Sequence, residues 1–296
     1  MRFLQTILKL SLKLSSKSYQ DLSRLIHAKD ILGFLFITVQ AWLYYSKLQF
    51  SIVRKILVLY IILLVFQMDM LYMNCVCILK ACFKQINDSL ANLRELVKNG
   101  EPYLLSDTYH GRRNPFLLME IIALKKQHLA ISDTVRMLKM VFSLQLLTTT
   151  VMTFIQITFN LYFYLVRVKE GVSVSNLERQ TYYEYFITSV TYYFTKIVLI
   201  VWACETGKNQ AMEIGSTIHN VFNSSSNKQI KYELQLFSLQ LLHCKNIFSA
   251  KGLTVDATLL TAIVGGITTY LLILIQFLVM SHSCDGKLLI NLTDII

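Results

Sequence analysis

Thr269-Tyr270-Leu-Leu-Ile-Leu-Ile-Gln276-Phe277 lies inside the last long apolar run of the chain, Leu259 to Met280. About 20 helical residues cross the roughly 30 Å of hydrocarbon in a bilayer, so this run reads as a membrane-spanning helix. Hydrocarbon offers an amide no hydrogen-bond partner, so Gln276 has to face protein or water. Either a neighbouring helix takes that bond or the side chain borders an aqueous path.

Four more apolar segments precede this one. The chain has 296 residues, is 54% hydrophobic and contains only 2 Pro and 10 Gly. Its mean hydropathy of +0.48 is too high for a soluble domain of this size. Spans are expected at 31–49, 56–79, 137–165, 185–204 and 257–280. Lys and Arg outside them alternate in density from one connecting segment to the next. The amino-terminal segment, the region around 80–139 and the segment 205–252 together hold 21, and the intervening segments hold 7. Positive charge stays on the cytoplasmic side, so the amino terminus is expected inside and the carboxyl terminus outside. The net charge of +11 is thus a topology signal, and no nucleic-acid partner is expected. No apolar core precedes a small-residue cleavage site in the first 30 residues, so a secretory signal is not expected there.

The expected organisation follows: a cytoplasmic amphipathic segment at 1–30, two spans within 31–79 and a cytoplasmic helical extension at 80–136. Two further spans fall within 137–204, a cytoplasmic anchor region at 205–253, a pore-lining helix at 254–280 and an extracellular tail at 281–296. Asn74 to Leu96 keeps apolar residues at helical spacing and carries the second span past the membrane. Pro102, Pro115, Gly100 and Gly111 read as a loop, after which Leu117 to Leu138 runs into the third span. Ser224-Ser225-Ser226 reads as a flexible joint. Leu234, Phe237, Leu241 and Phe248 then give an amphipathic helix ending at Gly252. Five of the six cysteines fall on the inner side, where thiols stay reduced, and neither Cys nor His shows metal spacing. No metal or cofactor is expected. Asn291-Leu-Thr293 is a glycosylation acceptor on the outer side.

Thr-Tyr, five aliphatic residues and Gln-Phe near a carboxyl end resemble the signature of the insect gustatory receptors. Phe237-Ser-Leu-Gln-Leu-Leu-His243, Phe248-Ser-Ala-Lys-Gly-Leu253, Asp256-Ala-Thr-Leu-Leu260 and Gly265-Gly266 lead into it in the same order and spacing. Leu71-Tyr72-Met-Asn74 and Phe83-Lys-Gln-Ile-Asn87 resemble the fourth helix and its extension in that family. The block through Ser281-His-Ser-Cys284 is similar to the gustatory receptor 28-type branch. The resemblance covers about 30–285. It implies an all-α membrane protein with the seven-helix insect chemoreceptor channel fold. About five transmembrane helices are present, equivalent to helices 3–7, with a cytoplasmic helical anchor domain, and the first two are lacking.

The resemblance further implies a ligand-gated, non-selective cation channel subunit for tastants such as sugars or bitter compounds. It implies a homo- or hetero-tetramer with other gustatory receptors in the plasma membrane of sensory neurons. Gln276 and Phe277 would form the gate, with Ile273 and Met280 a turn to either side, and Thr269 and Tyr270 would brace the helix. A ring of apolar side chains closes such a pore by dewetting. A small-molecule tastant would meet Trp42, Gln156, Asn160, Thr188 and Tyr192 in the outer half of the bundle, and membrane lipid would surround it. Aromatic faces and amides suit such ligands, although Trp and Tyr also collect at any membrane interface. Asp69 and Lys196 sit roughly 18–20 Å deep by helical rise and are expected to pair. A G-protein-coupled receptor would need the opposite orientation, and no enzymatic constellation is present. A non-conducting or modulatory short subunit is the other expectation.

Overall fold

The computed structural model describes residues 2–45, 51–98, 107–170 and 176–293, with side chains over 2–42, 51–97, 115–167 and 183–280. Seven helices and one hairpin follow in order. They are α1 (Arg2–Ser11), α2 (Ser16–Tyr45), α3 (Ile52–Lys98), α4 (Asp107–Glu170), α5 (Asn176–Ser224), α6 (Lys228–His243), β1 (Ser249–Ala250), β2 (Leu253–Thr254) and α7 (Ala257–Thr293). With 47, 64 and 49 residues, α3, α4 and α5 are about 70, 95 and 75 Å long. That is more than twice a bilayer's hydrocarbon, so each must continue beyond it.

Among the described residues, four helical segments are long and apolar enough to cross a membrane: Ile52–Val97, Pro115–Arg167, Tyr183–Ser224 and Ala257–Met280. The remaining expected span, 31–49, falls on α2 and runs into positions outside the described residues. The chain divides into two compact units, Met1–Ile31 with Gln67–Leu144 and Trp202–Asp256, and Leu32–Phe66 with Gln145–Val201 and Ala257–Ile296.

The first unit is a helical core. Met73, Val76, Leu79, Phe83, Ile86, Leu90 and Leu93 recur every three or four residues on α3, and all are buried. Ile121, Leu124, Ile131, Val135 and Leu138 supply α4, Ile214, Ile218 and Val221 supply α5, and Ile230, Leu234 and Phe237 supply α6. Polar ties fix the register. The Asn87 amide donates to the Gln210 carbonyl at 2.9 Å, and its oxygen accepts from the Thr217 hydroxyl at 3.3 Å. Lys125 pairs with Glu233 across α4 and α6.

His128 closes this core. Its ring is fully buried between Phe83, at 6.0 Å, and Phe237, at 5.6 Å. The Gln240 amide nitrogen lies 3.0 Å from the Lys125 carbonyl and 2.9 Å from His128 Nδ1. A nitrogen committed to a carbonyl is a donor, so Nδ1 accepts and Nε2 carries the proton; Asn246, whose amide group lies 3.3 Å from Nε2, must then turn its oxygen to the ring to accept it. Burial pushes the His128 pKa down to about 4, because the charged ring has no water here.

Four local expectations are corrected. The Pro115 loop is helical: α4 starts at Asp107 with Pro115 inside. A proline inside a helix gives up one backbone hydrogen bond and crowds the carbonyl four residues back, a local cost that the 64-residue α4 carries. Residues 1–30 are not one helix, because α1 ends at Ser11 and Ser15 caps α2, accepting from the Ser18 N–H at 3.3 Å. The serine run is a capped turn rather than a flexible joint. Ser225 is buried, and the Asn227 side chain accepts from the Gln229 and Ile230 N–H groups. Gly252 does not end a helix. Lys251 and Gly252, at φ 44° and 92°, turn the β1–β2 hairpin, a pair of positive φ values that favours glycine at the second position. Phe248, just before the hairpin, is buried against Gly207 of α5, where a Cβ would come within 3.1 Å of its ring.

In the second unit, α7 seats its first turns through Leu259, Ile263 and Ile267, which are buried one turn apart. A Cβ on Gly266 would meet the Phe154 ring of α4 at 3.0 Å, whereas Gly265 has nothing within 4 Å. The helix continues to Thr293, past the expected end of its span at 280.

Two stability predictions result. Because the folded His128 pKa lies below the unfolded value of about 6.5, the unfolded chain binds more protons as pH falls. Stability is therefore full above about pH 6.5 and declines toward pH 4, by about 2 kcal/mol between pH 7 and 5. Thermal unfolding of the solubilised protein should show this decline, and His128→Gln should flatten it. Gly265→Ala should stabilise by up to about 1 kcal/mol through lower unfolded-state entropy. Gly266→Ala should gain less or lose, since Phe154 must yield; equal melting temperatures for the two variants would contradict this packing.

Candidate pore helix and ligand pocket

Successive helical residues turn by about 100°, so Gln276, Met280, Ile273 and Phe277 fall within an arc of about 100° on α7. All four are exposed, with Phe277 at 67%. On the opposite side Leu271, Leu274, Ile275 and Leu278 are half-buried. In the most apolar stretch of α7 only 6% is buried by its own chain, against 28–33% in the other three spanning candidates. The helix carrying the amide is thus the one its own protomer covers least.

The bracing residues differ in what they touch. Tyr270 meets Phe154 edge-on, with ring centres 5.7 Å apart. The Thr269 hydroxyl donates to the Gly265 carbonyl of its own helix at 2.9 Å and braces no neighbour by that bond.

The residues expected around a ligand all lie in the second unit. The Asn160 amide donates to the Gln156 carbonyl at 2.7 Å and reaches the Ser189 hydroxyl of α5 at 3.4 Å. Thr188, beside Ser189, donates to the Glu184 carbonyl at 2.8 Å and lies 3.0 Å from that of Tyr185. One turn on, Tyr192 stacks on Phe36 of α2, with ring centres 6.1 Å apart and planes 14° from parallel. Gln156, Asn160, Thr188 and Tyr192 are all half-buried. Trp42, 75% exposed, stands apart from them as a surface aromatic.

Asp69 is completely buried, and Lys196 nearly so. The Lys196 ammonium lies 5.6 Å and 5.4 Å from the Tyr192 and Tyr193 ring centres, a distance at which an aromatic face attracts a cation. The two charges belong to different compact units. The side chains of Asn291 and Cys284 lie outside the described residues. Cys75, Cys77, Cys82 and Cys204 are buried free thiols, and burial pushes Cys82 up to about 12.

Phe36, Ser189 and Phe154 escaped the sequence reading, because a lone Phe or Ser in an apolar run carries no spacing signal. A cavity of about 360 Å³ lined by Leu118, Lys228, Gln229, Tyr232 and Glu233 lies in the first unit, not among the expected ligand residues.

The sequence profile described as 7tm Chemosensory receptor matches residues 1–281, including the first 30 residues that the motif resemblance left out. Gustatory receptor 28b of Drosophila melanogaster is 33% identical over 138 residues, 46% of this chain and 29% of its own length. Gustatory receptor 28a of the same fly is 28% identical over 159 residues, 53% of this chain and 35% of its own. The aligned stretches thus span about a third of these curated relatives. The structure of the insect olfactory receptor OR5 from Machilis hrabei superposes with a TM-score of 0.63 over 93% of this chain and 74% of that one, at 12% identity. The fold is therefore that of the insect chemoreceptors, in a multi-pass membrane protein. With the match running over nearly its whole length, the chain belongs to the 7tm chemosensory receptor family, among the insect gustatory receptors.

Proposed function

We propose that the chain is a subunit of a ligand-gated, non-selective cation channel in the plasma membrane of sensory neurons. In this reading α7 lines a pore shared by four copies or by partner gustatory receptors. The amino terminus is cytoplasmic and the carboxyl terminus extracellular, as the division of basic residues supports. The observation that carries the reading is an exposed Gln276 within the apolar face that α7 leaves uncovered. Lipid would leave its amide without hydrogen bonds, whereas an aqueous path ringed by Phe277, Ile273 and Met280 hydrates it when open. Rotation that withdraws Phe277 and presents Gln276 would pass hydrated cations.

The ligand is a small tastant, of the sugar or flat bitter class, held among Gln156, Asn160, Thr188 and Tyr192. The Tyr192 ring offers a flat face, and the amides and hydroxyls offer directional hydrogen bonds. Trp42 is better read as part of the interfacial aromatic belt.

Patch recording from cells expressing the chain, alone or with a partner receptor, tests the channel. Ligand-evoked current should persist in excised patches without nucleotides or G proteins. Phe277→Ala should leave a standing leak and Gln276→Leu should cut the evoked current severalfold. Unchanged conductance in both variants would remove α7 from the pore. Tyr192→Ala should raise the half-activating concentration about tenfold, the equivalent of about 1.4 kcal/mol of lost contact. An unchanged dose–response curve would return Tyr192 to ordinary core packing.

A further inference from the structure

Helix α1 carries two apolar stripes where packing needs one. Phe3, Ile7 and Leu10, followed by Leu14, are buried in the first unit. Leu4, Leu8 and Leu12, spaced by four, are 48%, 59% and 73% exposed. Lys9 and Lys13 follow Leu8 and Leu12 directly in sequence, so their column runs beside the leucines on the helix. Lys17, in the first turn of α2, is a third lysine close by in sequence, and all three are exposed. Residues 1–20 contain no Asp or Glu, and Asp21 is the first acid in the chain.

Two contacts within the first unit fix the height of this face. The Phe3 ring packs edge-on against Phe142 at 6.1 Å, and Phe142 lies five residues inside the span expected to begin at 137. The Gln85 amide donates to the Lys13 carbonyl at 3.2 Å, and Gln85 lies six residues past the span of α3 expected to end at 79. Six residues of helix rise about 9 Å, close to the Debye length of about 8 Å at physiological ionic strength. The leucines therefore begin at the depth of acyl chains, and the lysines sit where a charged surface is still felt.

We propose that Lys9, Lys13 and Lys17, with the exposed Leu4, Leu8 and Leu12, bind anionic phospholipid headgroups of the adjoining leaflet. A soluble acidic partner would be served by the lysines alone. An exposed leucine column beside them, at the membrane border, fits lipid: the leucines enter the acyl boundary and the ammonium groups meet phosphate and carboxylate. That this leaflet is the inner one rests on the orientation proposed above, whereas headgroup binding does not depend on it.

The test uses the full chain reconstituted in phosphatidylcholine vesicles with trace spin-labelled phosphatidylserine or phosphatidylcholine. Electron paramagnetic resonance reads the fraction of each label held at the protein. The phosphatidylserine label should associate severalfold more strongly, and the preference should shrink in molar salt. In the triple variant Lys9→Gln, Lys13→Gln, Lys17→Gln the ratio should fall toward one. A separate Leu8→Trp variant should add fluorescence that brominated acyl chains quench. Equal preference in the parent and the triple variant overturns the proposal. So does Leu8→Trp fluorescence that brominated lipid leaves unquenched, which would mean that protein covers the stripe. Labels on both leaflets make these outcomes independent of orientation, and confining phosphatidylserine to one leaflet then tests orientation by itself.

Discussion

An amide without a hydrogen-bond partner is expensive in hydrocarbon, and the structure is arranged around one. Gln276 sits on the apolar helix that its own chain covers least, so the protomer alone leaves its most demanding side chain unaccommodated. A soluble protein would let water meet it. A membrane protein has to bring water in or bring another helix up, and the proposed assembly of four copies of α7 around an axis would do both. The first turns of α7 are held by Leu259, Ile263, Ile267 and the Gly266–Phe154 seat, while Ile273 to Met280 present an open face. Fixing one end while freeing the other suits the proposed role of a helix that stays anchored and turns at a gate.

The anchoring begins before the helix does. The β1–β2 hairpin is lengthened by a bond from the Val255 N–H to the Phe248 carbonyl at 3.0 Å. The Phe248 ring lies against Gly207, and Lys208 stands 3.7 Å from both Glu205 and Asp256. Asp256 is the residue immediately before α7. The chain therefore enters α7 from a hairpin clamped on α5, in a unit whose α3, α4 and α6 meet at His128.

Hydropathy and charge bias made the long helices legible, because span length and loop charge are set by the bilayer and survive any detail of packing. The same reading placed breaks wrongly at Pro115 and Gly252. Proline breaks helices on average, but a helix as long as α4 can carry the one lost backbone bond at Pro115. Gly252 shows the limit of reading one residue at a time, since only the backbone reveals that Lys251 shares its positive φ and that the pair turns a hairpin. His128 was passed over because a single histidine has no spacing to notice. Its role comes from Phe83, Phe237, Gln240 and Asn246, brought to it from three other segments. The proposal for Gln276 and Phe277 came through the motif alone, and composition would have returned only an apolar helix with one odd amide.

The polar groups around the expected ligand also constrain what can bind. The Thr188 hydroxyl spends its proton on backbone carbonyls of its own helix, so toward a ligand it can only accept. Asn160 likewise turns its amide nitrogen to the Gln156 carbonyl and to Ser189, which leaves its oxygen as the group best able to serve a ligand. A face that offers acceptors beside the stacked Phe36 and Tyr192 rings favours molecules that bring their own hydroxyl donors on a flat or weakly polar frame. Polyols, glycosides and phenols satisfy that demand.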